Sequence, residues 1–351
     1  MYLNSFNHFR ALAIVVIVAG HTIWTVDWRF DSLTQRFLID LVSGGSTLFV
    51  FISGFLYHHI FYRRGTPYAR FLRDKARNVL TPYLVLTVPT LAIYYALPGW
   101  APRLAIFADP EGGFWGRYLW PLLADLATGR ATHAYWYIPF VMALFVLTPL
   151  FDRAIRASSA LRWALFGIGT VVAMLIHRPI ENLNLLHSLV YFAPVYLFGI
   201  LCSIHHDAIL RRFAGWRVYG LLALVIAFAL GHAIWRPEVL GNFHKPAFQW
   251  GGIDLMLPQT LLLNVFFMVW LARFENRDWP LVHRLASASF SIYFLHALLL
   301  VFASPLVHAA RIGWPVLDWL STTAITVAAS FAIAWFVQRT WPTASRRLIG
   351  W

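Results

Sequence analysis

The amino-acid sequence predicts an all-α fold: a polytopic transmembrane helical bundle of about ten helices with both termini in the cytoplasm. Three observations predict it. The 351 residues are 60% hydrophobic and only 12% charged, against roughly 25% charged in a soluble domain. Apolar runs of bilayer-crossing length, about 17–25 residues, recur along the whole chain. Basic residues crowd every second interhelical segment, the asymmetry that sets membrane orientation.

The runs fall at 9–26, 37–58, 79–97, 136–152, 162–177, 187–204, 217–235, 255–272, 289–309 and 315–337. The first carries Arg10 at its head and has no small-residue cleavage site behind it. It reads as a span and not as a removable signal peptide. With the N-terminus inside, 19 of the 28 Lys and Arg residues lie on the cytoplasmic side and 10 of the 15 acidic residues outside. An even number of spans brings Arg346 and Arg347 back to the cytoplasm. The net charge of +13 is then a topology signal. It is no nucleic-acid footprint, because the cations are spread over helix ends and no soluble module carries them.

Residues 1–351 form one integral-membrane domain, since the gaps hold no soluble domain. There is no internal repeat, and no pair of interrupted helices of the kind that marks many transporters. The single cysteine, Cys202, excludes an intramolecular disulfide and a Cys-based metal site. No metal is expected. The longest connection, 98–135, lies outside and carries FWGRYLWPLLADLATGR, a short interfacial or re-entrant helix by its aromatic content. A second outer loop, 236–254, is rich in Trp, Phe, His and Pro. Both are candidate walls of an acceptor site, or equally an ordinary aromatic belt. Arg178 and Glu181 read as a loop ion pair or as nothing of energetic note.

Four features carry chemistry. Arg10 and His21 are eleven residues apart, which is only about 20° more than three helical circles. They share one stripe of one helix, about 16 Å apart along its axis. Ionisable groups inside a span are costly and mark function. In STLFVFISGFLYHH, Ser53 and Gly54 permit close helix approach or leave room for a ligand. In the inner loop, Arg70, Arg73 and Arg77 recur on one face of a helical turn. Their guanidinium forks suit a polyanion, with topology and anionic membrane lipids as the alternative use. In SASFSIYFLHA, Ser289, Tyr293 and His296 fall on one face. His296 is read either as hydrogen-bonded to Ser291 or Tyr293, or as supporting the donor channel. Asp27 and Asp40 stand near outer helix ends, and neither is assigned to orient His21. His58, His59, His205 and His206 sit at cytoplasmic helix ends and receive no chemistry.

At these residues the chain resembles the acyltransferase 3 family of membrane acyltransferases. FRALAIVVIVAGH matches its opening Arg or Lys, ten residues, then His. LFVFISGFL resembles its Ser-Gly-Phe segment, FLRDKARNVLTPY its basic segment ending in Pro-Tyr, YWYIPFVMAL its Trp-led fourth helix with Trp136, and FSIYFLHA its late Ser-x-Tyr-x-x-His segment. The chain departs from the pattern at Tyr137-Ile138-Pro139, where a Phe-Leu pair is commoner. The resemblance implies transfer of an acyl group, usually acetyl from acetyl-CoA, to a hydroxyl of an extracytoplasmic or lipid-linked glycan, in the inner, cytoplasmic membrane. It implies His21 and Arg10 as catalytic residues, Arg70, Arg73, Arg77, Ser53 and Gly54 around acyl-CoA, and Trp136, Tyr293 and His296 around the substrates.

The residues are compatible with that chemistry. The nucleotide phosphates of acyl-CoA could dock on Arg70, Arg73 and Arg77, and the pantetheine arm could pass Arg10 toward His21. A sugar hydroxyl needs a base, and an imidazole, whose ordinary pKa lies near 6.5, can serve. An acyl-histidine intermediate is the other route. The competing class is a transporter or flippase of a glycan-related substrate. Against it stands the scarcity of acidic residues deep within the spans.

Overall fold

The computed structural model describes all residues except 1–2, 27, 97–105, 110, 243, 304–305 and 307–310. Asp27 lies outside the described residues. Helices α1 (Asn4–Thr22), α2 (Leu33–Val42), α3 (Gly45–Leu56), α4 (Tyr68–Lys75) and α5 (Thr81–Ala96) make up the first three spans. Then follow α6 (Trp120–Thr128), α7 (Tyr137–Val146), α8 (Thr148–Arg156), α9 (Ser159–Ile176), α10 (Leu185–Ile204), α11 (His206–Arg212) and α12 (Arg217–Trp235). The last are α13 (Met256–Ala272), α14 (Pro280–Phe302), α15 (Pro315–Thr340) and α16 (Ser345–Leu348). Two dipeptides, β1 (Arg178–Pro179) and β2 (His244–Lys245), pair in parallel.

Local chemistry sets several ends. Ser32 accepts from the Gln35 N–H at 3.2 Å, Ser158 from Leu161 at 3.2 Å and Asn184 from His187 at 2.9 Å, so three helices start on side-chain caps. Pro280 and Pro315 open α14 and α15, where a missing N–H costs nothing.

Among the described residues, eight helical segments are long and apolar enough to cross a membrane. The α7–α8 pair, bent by 51°, makes a ninth. The remaining run is α13, at 17 residues. The α7–α8 bend has a local cause. Pro149 cannot donate to the Phe145 carbonyl and its ring crowds it. The Thr148 hydroxyl takes that carbonyl instead, at 2.8 Å.

The second run is broken too, which its hydrophobicity did not reveal. Gly44, at φ +78°, ends α2 and starts α3. A side chain there would be strained, and its Cβ would stand 2.8 Å from Thr260. The first piece, α2, turns away to pack on α12. There the buried Asp40 carboxylate accepts from His232 Nδ1 at 3.0 Å and from the Gly241 N–H at 2.9 Å. Asp40 is thus committed to α12 and its following loop.

The centre of the bundle is the contact of α3 with α10. A Cβ on Gly54 would lie 2.1 Å from the Tyr196 carbonyl oxygen, and one on Gly199 would lie 2.2 Å from that of Phe51. Two small residues thus let two backbones touch. Helix α1 packs on α14, α3 and α15, placing its polar stripe at the inside of the bundle.

Candidate active site

His21, in the last turn of α1, faces His296 of α14. The rings are 5.1 Å apart, and His296 Nε2 lies 3.2 Å from His21 Nδ1. His296 is fully buried, and its Nδ1 lies 2.9 Å from the Ile292 carbonyl oxygen. A carbonyl only accepts, so His296 Nδ1 carries the hydrogen. In the neutral ring Nε2 is then the acceptor, and His21 Nδ1 must donate to it. The remaining lone pair on the His21 ring is at Nε2. Two hydrogen bonds thus pin the tautomer that a proton acceptor requires.

His21 lines a cavity of about 790 Å³. The cavity sits at the C-terminal end of α1, between Gly20, Trp24 and Thr25, the break at Ser43–Gly44, the 128–136 segment and the 178–182 loop. Trp136 and His133 are on its wall. Trp136 precedes α7 and stacks on Phe192 with centroids 5.6 Å apart. The segment is tied to α14 by two phenols: Tyr293 donates to the Ala134 carbonyl, and Tyr135 donates to that of Phe294 at 3.1 Å. Tyr293 therefore shapes this wall from behind. Gly129, at φ +71°, makes the preceding turn against the Tyr135 carbonyl, 2.3 Å from its would-be Cβ.

Arg178 is the residue that sequence reasoning misjudged. Glu181 pairs with Arg130 at 2.6 Å, and not with Arg178. Arg178 is only 6% exposed and lines the cavity. Its guanidinium lies 5.1 Å from the Trp136 ring centre and 5.3 Å from that of Phe192, within cation–π range. Nη2 donates to Asn182 Oδ1 at 3.1 Å. With the Asn242 amide turned to satisfy its neighbours, Asn242 Oδ1 accepts from Arg178 Nη1 at 3.1 Å and from the Gly44 N–H at 2.9 Å. Burial pulls the Arg178 pKa below its ordinary value, opposed by Tyr191 and Asp254. The backbone around it is unusual: His177, Glu181 and Asn182 all have φ between +49° and +58°. Such conformations persist where surrounding structure enforces them. His177, Arg178 and Glu181 carried no readable motif; the signal was a bulky cation beside a long apolar span.

The structure brings His21, His296 and Trp136 together and sets Tyr293 behind them. Arg10 is not among the residues lining the cavity. It lies inward on α1, where Nη2 donates to Ser289 Oγ of α14 at 3.1 Å. Arg70, Arg73 and Arg77 are exposed along α4 and the turn after it. Lys75 on the same stretch lies over the Phe61, Phe71 and Phe145 rings, 4.8–5.3 Å from their centres. Ser53 Oγ is 3.5 Å from Tyr137 Oη. Gly54 is filled by the α10 backbone and offers no space to a ligand. Among the described residues no His, Cys, Asp and Glu cluster fits a metal ion.

Neither a curated protein nor a solved structure matches the chain significantly. A family model described as an acyltransferase domain matches residues 3–337. That is nearly the whole chain, and it spans every helix named above except the last three residues of α15 and all of α16. With its bundle of membrane-crossing helices, this multi-pass membrane protein belongs to the acyltransferase 3 family.

Proposed function

We propose that the protein transfers an acyl group, acetyl first among candidates, from cytoplasmic acyl-CoA to a hydroxyl of an extracytoplasmic or lipid-linked glycan at the inner membrane. The observation that carries this reading is His21 on the wall of an outer cavity, with its tautomer set by His296 and Ile292.

His21 Nε2 takes the proton of the acceptor hydroxyl as its oxygen attacks the thioester carbonyl. The C–O bond forms, the tetrahedral centre collapses and the C–S bond breaks. The proton held on Nε2 passes to the departing thiolate, giving free CoA and an O-acyl ester. General-base assistance of this kind contributes roughly 10²–10⁴-fold. On the inner side, Arg70, Arg73 and Arg77 would take the nucleotide phosphates, because exposed guanidinium forks match them bidentately. Arg10, fixed by Ser289, would mark the path of the pantetheine arm toward His21. Trp136, stacked on Phe192 and beside Arg178, would line the acceptor side of the cavity.

The test is acyl transfer by purified His21→Ala, with native folding checked by size exclusion in detergent. Loss of acceptor-dependent CoA release is the expected result. Wild-type turnover would discard His21 as the base. Mass spectrometry of surface glycans with and without the gene would identify acyl group and acceptor together.

A further inference from the structure

The outer cavity holds a cation that nothing balances at contact distance. Among the described residues no carboxylate lies within 4 Å of the Arg178 guanidinium, whereas Arg130 in the same wall is matched by Glu181 at 2.6 Å. Asp254 acts on Arg178 only at longer range. Its two oxygens are taken by the Tyr191 hydroxyl at 2.8 Å and the Met256 N–H at 2.9 Å. Asn182 and Asn242 hold the guanidinium by neutral oxygens, which fix its position and leave its charge. Arg178 Nε is buried and has no hydrogen-bond partner. A buried charge without a counter-charge costs several kcal/mol unless something else supplies one.

The second element is the start of α3. Gly44, Gly45 and Ser46 line the same cavity. The first N–H groups of a helix have no intrahelical partner, and they carry the positive end of its dipole. Asn242 bridges the two features, since one oxygen accepts from both Gly44 and Arg178. A side chain at Gly45 would stand 2.9 Å from Ile17, one turn before His21 on α1. The helix start and the base are thus on adjoining walls. His244, exposed beside Arg178, has its pKa lowered by desolvation and then by the Arg178 charge. Arg178 remains the net charge of this corner.

We propose that the Arg178 guanidinium and the N-terminus of α3 form a subsite for an anionic group, a carboxylate or a phosphate, carried by the acceptor. The acceptor class is therefore an acidic glycan: one bearing a uronic-acid carboxylate, or a sugar joined to its carrier through phosphate. This rests on the reading of the cavity as the acceptor chamber, but it makes its own demand on binding. The anion anchors beside Arg178, and a hydroxyl of the same molecule reaches His21 Nε2.

The experiment is equilibrium binding to the purified full chain in detergent, by calorimetry or saturation-transfer NMR, without acyl-CoA. The probes are glucuronic acid, glucose 1-phosphate, inorganic phosphate and neutral glucose. At least one anionic sugar should bind, and glucose should bind at least tenfold more weakly. Preference for glucuronic acid over the phosphates assigns a carboxylate, and the reverse assigns a phosphate ester. Arg178→Gln should lose roughly ten- to a hundredfold in affinity, the range for a charged hydrogen-bond partner. Arg178→Lys should lose less, and Asn242→Ala, which keeps the guanidinium and removes one of its holders, should also weaken binding. His21→Ala should bind the probes as the wild type does, so failure of the base and failure of this subsite are told apart. Equal binding of glucose and the anions, no binding of any anion, or unchanged affinity in a folded Arg178→Gln would overturn the proposal. If Arg178→Gln does not fold, unchanged affinity in Asn242→Ala and Arg178→Lys together overturns it.

Discussion

His296 stands between the Ile292 carbonyl and His21, 2.9 Å from one and 3.2 Å from the other, and so decides which His21 nitrogen bears the hydrogen. A base with its hydrogen on the wrong nitrogen is inert however well it is placed.

This gives the first prediction. His296→Leu removes the acceptor for His21 Nδ1–H and frees the ring to take either tautomer. We expect kcat to fall roughly 10- to 100-fold, part of what a general base supplies, with KM for acyl-CoA nearly unchanged. His296→Gln places an amide oxygen that can still accept from Nδ1, and it should recover much of the loss. Steady-state CoA release in the presence of acceptor checks both variants. A Leu variant with full kcat would show that the relay is dispensable.

Gly54 and Gly199 should tolerate no side chain. Their would-be Cβ atoms lie 2.1 Å and 2.2 Å from carbonyl oxygens of the facing helix, far inside contact. Backbone cannot move aside as a flexible side chain does. Ala at either position should cost about 1–3 kcal/mol or more, read as a lower thermal midpoint in detergent without any ligand. The double variant should be worse than either alone.

Much of this was legible in the sequence, and the reasons for success and failure are physical. Among the described residues the apolar runs appear as helix, eight of them long enough to cross a membrane unaided, because hydrophobic length is what a bilayer selects. The Arg10–His21 stripe was readable because helical angle follows from residue count alone. The break at Gly44 was not, since LVSGGSTLFV is apolar enough to read straight through. The partner of His21 was visible as a residue, but its hydrogen bond to Ile292 depends on rotamer and depth. Arg178 was hidden for a different reason. It lies outside every apolar run, in a dipeptide strand whose partner, His244, is 66 residues away. No local pattern announces that kind of contact.

Asp125, in α6, makes stability depend on pH. Its carboxyl is fully buried, and neither oxygen has a hydrogen-bond partner among the described residues. Burial raises its pKa from 3.8 to about 7, against the pull of Arg130. The folded protein therefore keeps a proton that the unfolded chain releases at lower pH. Stability is full below pH 4, falls as pH rises from there to 7 and levels off above it, a loss on the order of a few kcal/mol at most. Asp125→Asn keeps the shape and cannot titrate. Its melting temperature should stay flat from pH 5 to 8 while that of the wild type declines.

The inner arginines should govern donor affinity and nothing else. Replacing Arg70, Arg73 and Arg77 together with Gln should raise KM for acetyl-CoA about tenfold or more with kcat retained. Because these side chains are exposed, added salt should produce the same rise in the wild type by screening. Acetyl-pantetheine, which lacks the nucleotide, should be equally good with either protein. Equal KM values for acetyl-CoA in the two proteins would send the nucleotide elsewhere.

The glycine contact at Gly54 and Gly199 also limits how the molecule can move. Spans whose main chains already touch have no slack, so they cannot slide or part without breaking the fold. If the chamber widens, the loops that line it at 128–133 and 178–182 must give, and not the α3–α10 seam. There Asn182 and Glu181 hold strained turns, and the tether from Asn242 to the start of α3 is a single hydrogen bond, from the Gly44 N–H. The α3–α10 seam is backbone against backbone, whereas the loops beside the cavity are held by single polar contacts.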